Sequence, residues 1–405
     1  MTFDFKLFKK GLYGIFDQIF SSILIFGINI YFAQKAYFNE IGILALVFAS
    51  FGFAQVLQQA LLEKPFLIKK NIFSLKIIAQ RLALIFTLLL ISIFSIFVSE
   101  TNSSSQETFS DYFILPWICL GVVHLLFILT RIYYYAINKQ NVAFYMSSIS
   151  TILIFTILLY GQNFIGKRLS IIMFVIVAVK FVIILYFISS IESLDDNSTI
   201  EDSNVLQYIL LILISLSYFL RSRLVVFYLA NFAYILAGLY EILRNIIELV
   251  VMPFRPISEI LLNHFSINRT SISILPKEFI FIFSLVGVLF SGIFYLSLDT
   301  IFNILNITNL ISFEIKAYLS AIVFISIFLV PIDASLLAYK NFSKLLTTKI
   351  FPVIFLAISL FYSEYIYEIK NLLNLITIAY LIELVLSLVI FLLNFFKSTV
   401  KFNKI

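Results

Sequence analysis

The chain has 405 residues, of which 62% are hydrophobic and 12% charged, with a formal net charge of +6 and a mean hydropathy of +1.06. Soluble domains carry about 45–50% apolar and about 25% charged residues, so this chain lacks the polar surface to cover a water-soluble sphere. That excludes a soluble domain, and apolar runs reaching the roughly 20 residues that cross a bilayer core point to an all-α polytopic membrane protein.

Basic residues in MTFDFKLFKKGLYGIF precede the first apolar run, and no A-x-A-like cleavage site follows, so the segment reads as a retained first span. Apolar runs bounded by charged or polar clusters then predict twelve transmembrane helices. In chain order they are Gly11–Phe32, Ile41–Leu62, Ile77–Val98, Tyr112–Ile137, Val142–Tyr160, Leu169–Ser189, Val205–Leu229, Phe232–Met252, Lys277–Leu298, Phe313–Leu336, Ile350–Tyr365 and Leu372–Phe396. The cut within Val205–Met252 rests on Asn231 as a turn signal, and a turn at Arg221-Ser222-Arg223 is the alternative. The lone Cys119 lies in an apolar stretch and gives neither an intrachain disulfide nor a metal cluster.

With the N-terminus placed inside, the inner loops collect seventeen Lys and Arg residues, Lys139, Arg255 and Lys349 among them. The outer loops hold four, Lys35, Lys167, Arg168 and Lys370. This bias predicts that both termini are cytoplasmic. Trp117 near an outer end and Tyr133-Tyr134-Tyr135 near an inner end fit interfacial aromatic belts. The acidic segment ESLDDNSTIEDS, Glu192–Ser203, is the most polar stretch of its length. It predicts an N-terminal six-helix lobe over residues 1–191, a cytoplasmic linker over 192–204 and a C-terminal six-helix lobe over 205–405, the lobes enclosing a central cavity as in parallel-repeat transporters.

Seven basic residues fall inside spans or at their edges: Arg81, Arg131, Lys180, Arg221, Arg223, Arg244 and Lys316. Each such charge costs a few kcal/mol at the bilayer centre. Arg81, Arg131 and Lys316 lie within about two turns of a span end, where long side chains reach the headgroups. Lys180 sits mid-span and favours a cavity-facing role. Arg221 and Arg223 are two residues apart, which at ~3.6 residues per turn turns them about 200° from each other. One is expected to face a cavity and the other to be paired or snorkelled, and the sequence leaves open which. Glu241, Arg244 and Glu248 follow i, i+3 and i+7, so they share a face, as a self-neutralised stripe or as a substrate-facing group. Asp17 with Ser21, the glutamines Gln55, Gln58 and Gln59, Asp333 and Glu383 add polar groups to other spans. The basic members suit an anionic ligand. Arg221, Arg223, Arg244 and Lys180 are the substrate-binding candidates, and Asp17, Glu241, Glu248 and Glu383 are candidates for ion coupling or for lining the cavity.

Enzymatic chemistry has little support. His124 and His264 are the only histidines, and neither sits in a metal or nucleophile pattern. The eleven glycines form no phosphate-binding loop. No catalytic residue, metal, cofactor or nucleic-acid partner is expected. The longest outer segments, Ser99–Asp111 and Asp299–Ser312, are short for a membrane polymerase.

Lys9-Lys10-Gly11 at the start, Asp17-Gln18 in the first span, Glu40-Ile41-Gly42 before the second and ALLEKP at its end form a recognisable opening. RSRLVVFYL, Ala237-Gly238-Leu239-Tyr240 and VVMPFRP echo it in the second half. Together they resemble the bacterial polysaccharide-biosynthesis proteins, the lipid-linked oligosaccharide (O-antigen-type) flippases of the multidrug/oligosaccharidyl-lipid/polysaccharide exporter superfamily. Relatives often carry an acidic residue beside the seventh-span arginine, where this chain has Ser222. The resemblance implies two lobes around a central cavity in the bacterial cytoplasmic membrane. It also implies a polyprenyl-diphosphate-linked glycan flipped to the outer leaflet by alternating access. The bilayer, the lipid-linked glycan and polysaccharide assembly proteins would be the partners. Two other readings stay open: a cation-coupled drug or metabolite exporter of the same fold, and a membrane-bound polymerase or glycosyltransferase.

Overall fold

A computed structural model describes residues 5–34, 38–63, 81–91, 93, 114–136, 139–161, 169–188, 205–230, 234–254, 257–258, 261, 277–308, 312–338, 341–362 and 368–402. Among these residues the chain is helical, with helices α1 Phe5–Gln34, α2 Phe38–Gln58, α3 Arg81–Ile91, α4 Ile114–Ala136, α5 Gln140–Tyr160 and α6 Leu169–Ile188. The second half has α7 Val205–Ala230, α8 Tyr234–Val251, α9 Lys277–Ile304, α10 Phe313–Ala338, α11 Phe342–Tyr362 and α12 Ile369–Phe402. Each expected span coincides with one of them. Nine are long and apolar enough to cross a membrane, and α3 and α6 add shorter apolar stretches. α8 is the charged exception, with Glu241, Arg244 and Glu248 in 18 residues. The chain is an all-helical polytopic membrane protein.

Several ends differ from expectation: α1 begins at Phe5 rather than Gly11, α9 ends at Ile304 rather than Leu298, and α12 ends at Phe402 rather than Phe396. Helix α7 runs unbroken through Arg221-Ser222-Arg223, so the alternative turn there is excluded. Helix α11 begins at Phe342 rather than Ile350, which takes Lys344 and Lys349 out of a loop and into a helix. A hydropathy reading stops at a lysine because it cannot see the partner that compensates the charge.

The helices group into two compact units. Unit 1 takes Met1–Gly27 and Ile43–Phe219, and unit 2 takes Ile28–Gly42 and Leu220–Ile405. The division falls inside α1, α2 and α7, and the acidic segment 192–204 lies outside the described residues.

In unit 1, α4, α5 and α6 pack on one another around Val123, Phe127, Tyr134, Ala143, Met146, Ile183 and Ile184. Tyr134 is buried there and its hydroxyl donates to the Phe187 carbonyl at 2.8 Å. Trp117 is also fully buried, and its Nε1 donates to Ser50 Oγ at 2.9 Å, tying α4 to α2. The aromatic-belt reading of Trp117 is thereby corrected: the indole N–H finds a protein acceptor inside the unit instead of a headgroup. Helix α2 ends in a π-helical turn, Gln59–Glu63, and Arg81 donates to the Leu61 carbonyl in that turn. A widened turn disturbs the regular carbonyl pairing, and the guanidinium supplies a donor at that point.

In unit 2, α10 packs against α8, α9, α11 and α12. Its buried positions run from Ile315 to Ala338 without a polar outer stripe, as a helix surrounded by neighbours requires. Helix α9 instead leaves Phe281, Leu285, Val288, Ile293 and Leu296 exposed, an apolar face that lipid can solvate. The starts of α2 and α8 touch backbone to backbone. A Cβ on Gly238 would collide with the Phe38 carbonyl and lie 3.0 Å from Gly42 N, and one on Gly42 would collide with the Tyr234 carbonyl. Glycine at both positions is what permits this approach.

Candidate functional site

The expected polar residues resolve into charged clusters, one set in each unit. In unit 1, α1 carries Asp17, fully buried, and α4 carries Arg131, 8% exposed. Arg131 Nε donates to Asp17 Oδ1 at 3.1 Å, and its Nη2 pairs with Oδ2. Tyr135 adds a hydroxyl hydrogen bond to the same Oδ2 at 2.7 Å. Arg131 is therefore not a snorkelled residue. Its fork meets a carboxylate, and each charge offsets part of the cost of burying the other. Ser21, one turn beyond Asp17, donates to Ser147 on α5 at 3.2 Å.

Lys180 on α6 has a different environment. It is 7% exposed, and its Nζ lies 3.3 Å from Nδ1 of His124 on α4 and 5.0 Å from the centre of the Phe127 ring. Arg131 lies over the same ring at 6.0 Å. The His124 ring is itself packed against Phe48 and Phe51 of α2, each at 6.1 Å between centroids. Among the described residues, this ammonium meets a second base and an aromatic face. The expected buried, mid-span lysine is thus found, and His124 is the partner that sequence reasoning missed. The available signal was the spacing of His124, Phe127 and Arg131 at i, i+3 and i+7, which places all three on one face of α4.

In unit 2 the two arginines of α7 leave the helix in different directions, as their spacing requires. Arg223 Nη1 donates to both oxygens of Glu241, at 3.1 and 3.0 Å. Arg244 grips the same carboxylate with Nε at 2.9 Å and Nη2 at 2.5 Å, and its Nη1 pairs with Glu248. Asn245 Nδ2 donates to Glu241 Oε1 at 3.3 Å. The stripe on α8 is self-neutralised, with Arg223 joined to it.

Arg221 points instead to α12. It pairs with Oε2 of Glu383, which is fully buried, and its guanidinium lies 4.3 Å from the centre of the Tyr380 ring. The other oxygen of Glu383, Oε1, pairs with Lys349 of α11, and Lys349 also donates to Oδ2 of Asp333 on α10 at 2.5 Å. Lys349 is 2% exposed. The expectation that it sits in an inner loop is corrected: two carboxylates on neighbouring helices balance its charge and draw it inside. Near the start of α10, Lys316 pairs with Asp299 at 2.9 Å. Arg221, Arg223 and Arg244 thus all have carboxylate partners, and the ion-coupling candidates Asp17, Glu241, Glu248 and Glu383 each face a cation.

No protein-family model matches the sequence, and no curated protein matches it. The fold has solved counterparts. One is a MATE in complex with MaL6, with TM-score 0.64 and 12% identity, covering 98% of this chain and 96% of that chain. A multidrug resistance MATE family transporter of the MOP superfamily in its outward-facing conformation gives TM-score 0.57 and 10% identity, with 97% and 96% covered. An inward-facing conformation of such a transporter gives 0.55 and 12%, with 96% and 95% covered. At these identities the likeness establishes the fold, and this chain has the fold of MATE transporters of the MOP superfamily.

Proposed function

We propose that the chain is a transporter that flips a polyprenyl-diphosphate-linked oligosaccharide from the inner to the outer leaflet of the bacterial cytoplasmic membrane. Alternating access is the mode of movement, and the existence of outward- and inward-facing structures of the same fold supports it. Both termini and the segment 192–204 are cytoplasmic in this reading, in keeping with the basic bias of the inner loops. Polysaccharide assembly proteins are the expected further partners.

The observation that carries the substrate reading is Lys180. An ammonium buried in an apolar helix bundle, with a base and an aromatic ring as its described contacts, favours an anionic ligand. A diphosphate supplies that charge, the glycan would occupy polar surroundings, and the lipid tail would remain in the bilayer. Of the four substrate-binding candidates, Lys180 comes first, since Arg221, Arg223 and Arg244 are already engaged by carboxylates.

The test is reconstitution in liposomes with a fluorescent, short-chain polyprenyl-diphosphate oligosaccharide and an impermeant quencher. Protein-dependent flipping that Lys180→Met removes is the expected result. Export of a cationic dye with no lipid flipping would support the drug-exporter reading instead, and a covalent product from the lipid-linked donor would support a membrane polymerase.

A further inference from the structure

We propose that His124 is a proton-linked second cation of the anion seat: when a diphosphate arrives at Lys180, the imidazole takes up one proton from water on Nδ1, and it returns that proton when the anion leaves. The proposal rests on the diphosphate reading above. It adds the residue that completes the seat and the ion whose binding is linked to that of the substrate.

In the empty chain the pair holds a single positive charge. Lys180 Nζ lies 3.3 Å from His124 Nδ1, a contact that is a hydrogen bond while Nδ1 keeps its lone pair and accepts from the ammonium. The imidazole is then neutral, with its proton on Nε2. A proton on Nδ1 sets two positive charges against each other at that distance, in surroundings that screen them poorly. Among the described residues, the charged groups that act on this imidazole are Lys180 of α6 and Arg131 of α4, both cations. Asp17 of α1 is held by Arg131. Helix α2 presents Phe48 and Phe51, and α5 meets α4 and α6 with Ala143 and Met146.

An anion reverses this balance. A diphosphate brings more negative charge than one ammonium neutralises, and the remainder lacks a partner in an apolar bundle. Seated between Nζ and Nδ1, it turns the second positive charge from a repelled one into an attracted one. The ammonium, released from the imidazole, donates to one phosphate oxygen and the new Nδ1–H donates to another, both as charge-assisted bonds. His124 is half-buried while Lys180 is 7% exposed, so the anion and the proton reach the imidazole first. Phe48 and Phe51 pack against the ring, each at 6.1 Å between centroids, and keep Nδ1 aimed at Lys180.

The sign of the pH dependence follows. The loaded chain binds one proton more than the empty chain, so affinity rises as pH falls and declines as pH rises. For one linked proton the slope reaches at most about tenfold per pH unit.

The chain has two histidines, so His264→Gln leaves His124 as its sole imidazole. The experiment uses this full chain, labelled with nitrogen-15 histidine, in lipid nanodiscs at neutral pH. Ring-nitrogen resonances are read without ligand, with geranylgeranyl diphosphate as the probe and with geranylgeraniol as the control. The expected result is a neutral imidazole in the empty chain and with geranylgeraniol, and an imidazolium with the diphosphate. In calorimetry, His124→Gln keeps an acceptor for Lys180 and takes up no proton. It should bind the diphosphate on the order of tenfold more weakly at neutral pH and with a flatter pH dependence than wild type. An imidazole that stays neutral with the diphosphate bound overturns the linkage and leaves the diphosphate reading standing, and so does one already charged in the empty chain. An equally steep pH dependence in folded His124→Gln overturns it as well. The resonances are read on a chain that keeps His124, so they decide the matter if His124→Gln does not fold. Absence of diphosphate binding by the wild-type chain overturns the diphosphate reading and the linkage with it.

Discussion

Lys180 Nζ lies 3.3 Å from His124 Nδ1, so the ammonium buried in unit 1 faces another base. An apolar side chain of similar length removes the desolvation cost of a buried ammonium, which runs to several kcal/mol per ion. Lys180→Met should therefore leave the thermal midpoint unchanged or raised, while lipid flipping is lost. A midpoint that falls along with activity would make Lys180 a structural residue and remove the main support for an anionic substrate.

The Asp17–Arg131 pair predicts the opposite response. Asp17→Ala leaves Arg131 buried without the carboxylate that holds both Nε and Nη2, at a cost of about 3–5 kcal/mol. The double change Asp17→Ala with Arg131→Met should recover much of that loss. A double-mutant cycle on folded protein measures the coupling, and a value near zero would remove the pair from the stability of unit 1.

Arg223 and Arg244 share Glu241 but use it differently. Arg223 reaches both oxygens with the single nitrogen Nη1, a contact that an ammonium can copy. Arg244 uses Nε, Nη1 and Nη2 on three different acceptors, a fork that lysine cannot reproduce. Arg223→Lys should thus be nearly silent in folded yield and transport, and Arg244→Lys should lower the yield several-fold, as follows from a loss of about 1–3 kcal/mol. Equal effects of the two changes would contradict this division of roles.

At the start of α8, Gly238→Ala should cost more than its helix propensity gains. Alanine is favoured over glycine by about 1 kcal/mol within a helix, yet here the added methyl meets the Phe38 carbonyl and the Gly42 backbone. Lower folded yield for Gly238→Ala, and still lower for Gly238→Leu, is the expected order in size-exclusion profiles. A stabilised Gly238→Ala protein would mean that α2 and α8 do not meet at this point.

Topology has a direct check. In a Cys119→Ser background, single cysteines placed in segment 192–204 should resist an impermeant thiol reagent in intact cells and react after permeabilisation. Prompt labelling in intact cells would invert or break the twelve-span order.

Amino-acid order alone determined the membrane class, the helices seen among the described residues and the stripe on α8, because each depends on neighbours within a turn or a span. Apolar run length sets where a helix crosses lipid, and i, i+3, i+7 spacing sets what shares a face, so Glu241, Arg244 and Glu248 were legible as a group. The opposed directions of Arg221 and Arg223 were legible for the same reason. What each charged group meets was decided by tertiary structure. Asp17 and Arg131 stand 114 residues apart, Lys349 and Glu383 stand 34 apart, and Lys180 finds His124 across 56 residues. Those encounters depend on how each helix is rotated about its axis and which neighbour it packs against, quantities that no local pattern contains. Lys349 shows the consequence most plainly: its own sequence neighbourhood reads as the edge of a loop, and carboxylates of α10 and α12 compensate its buried charge.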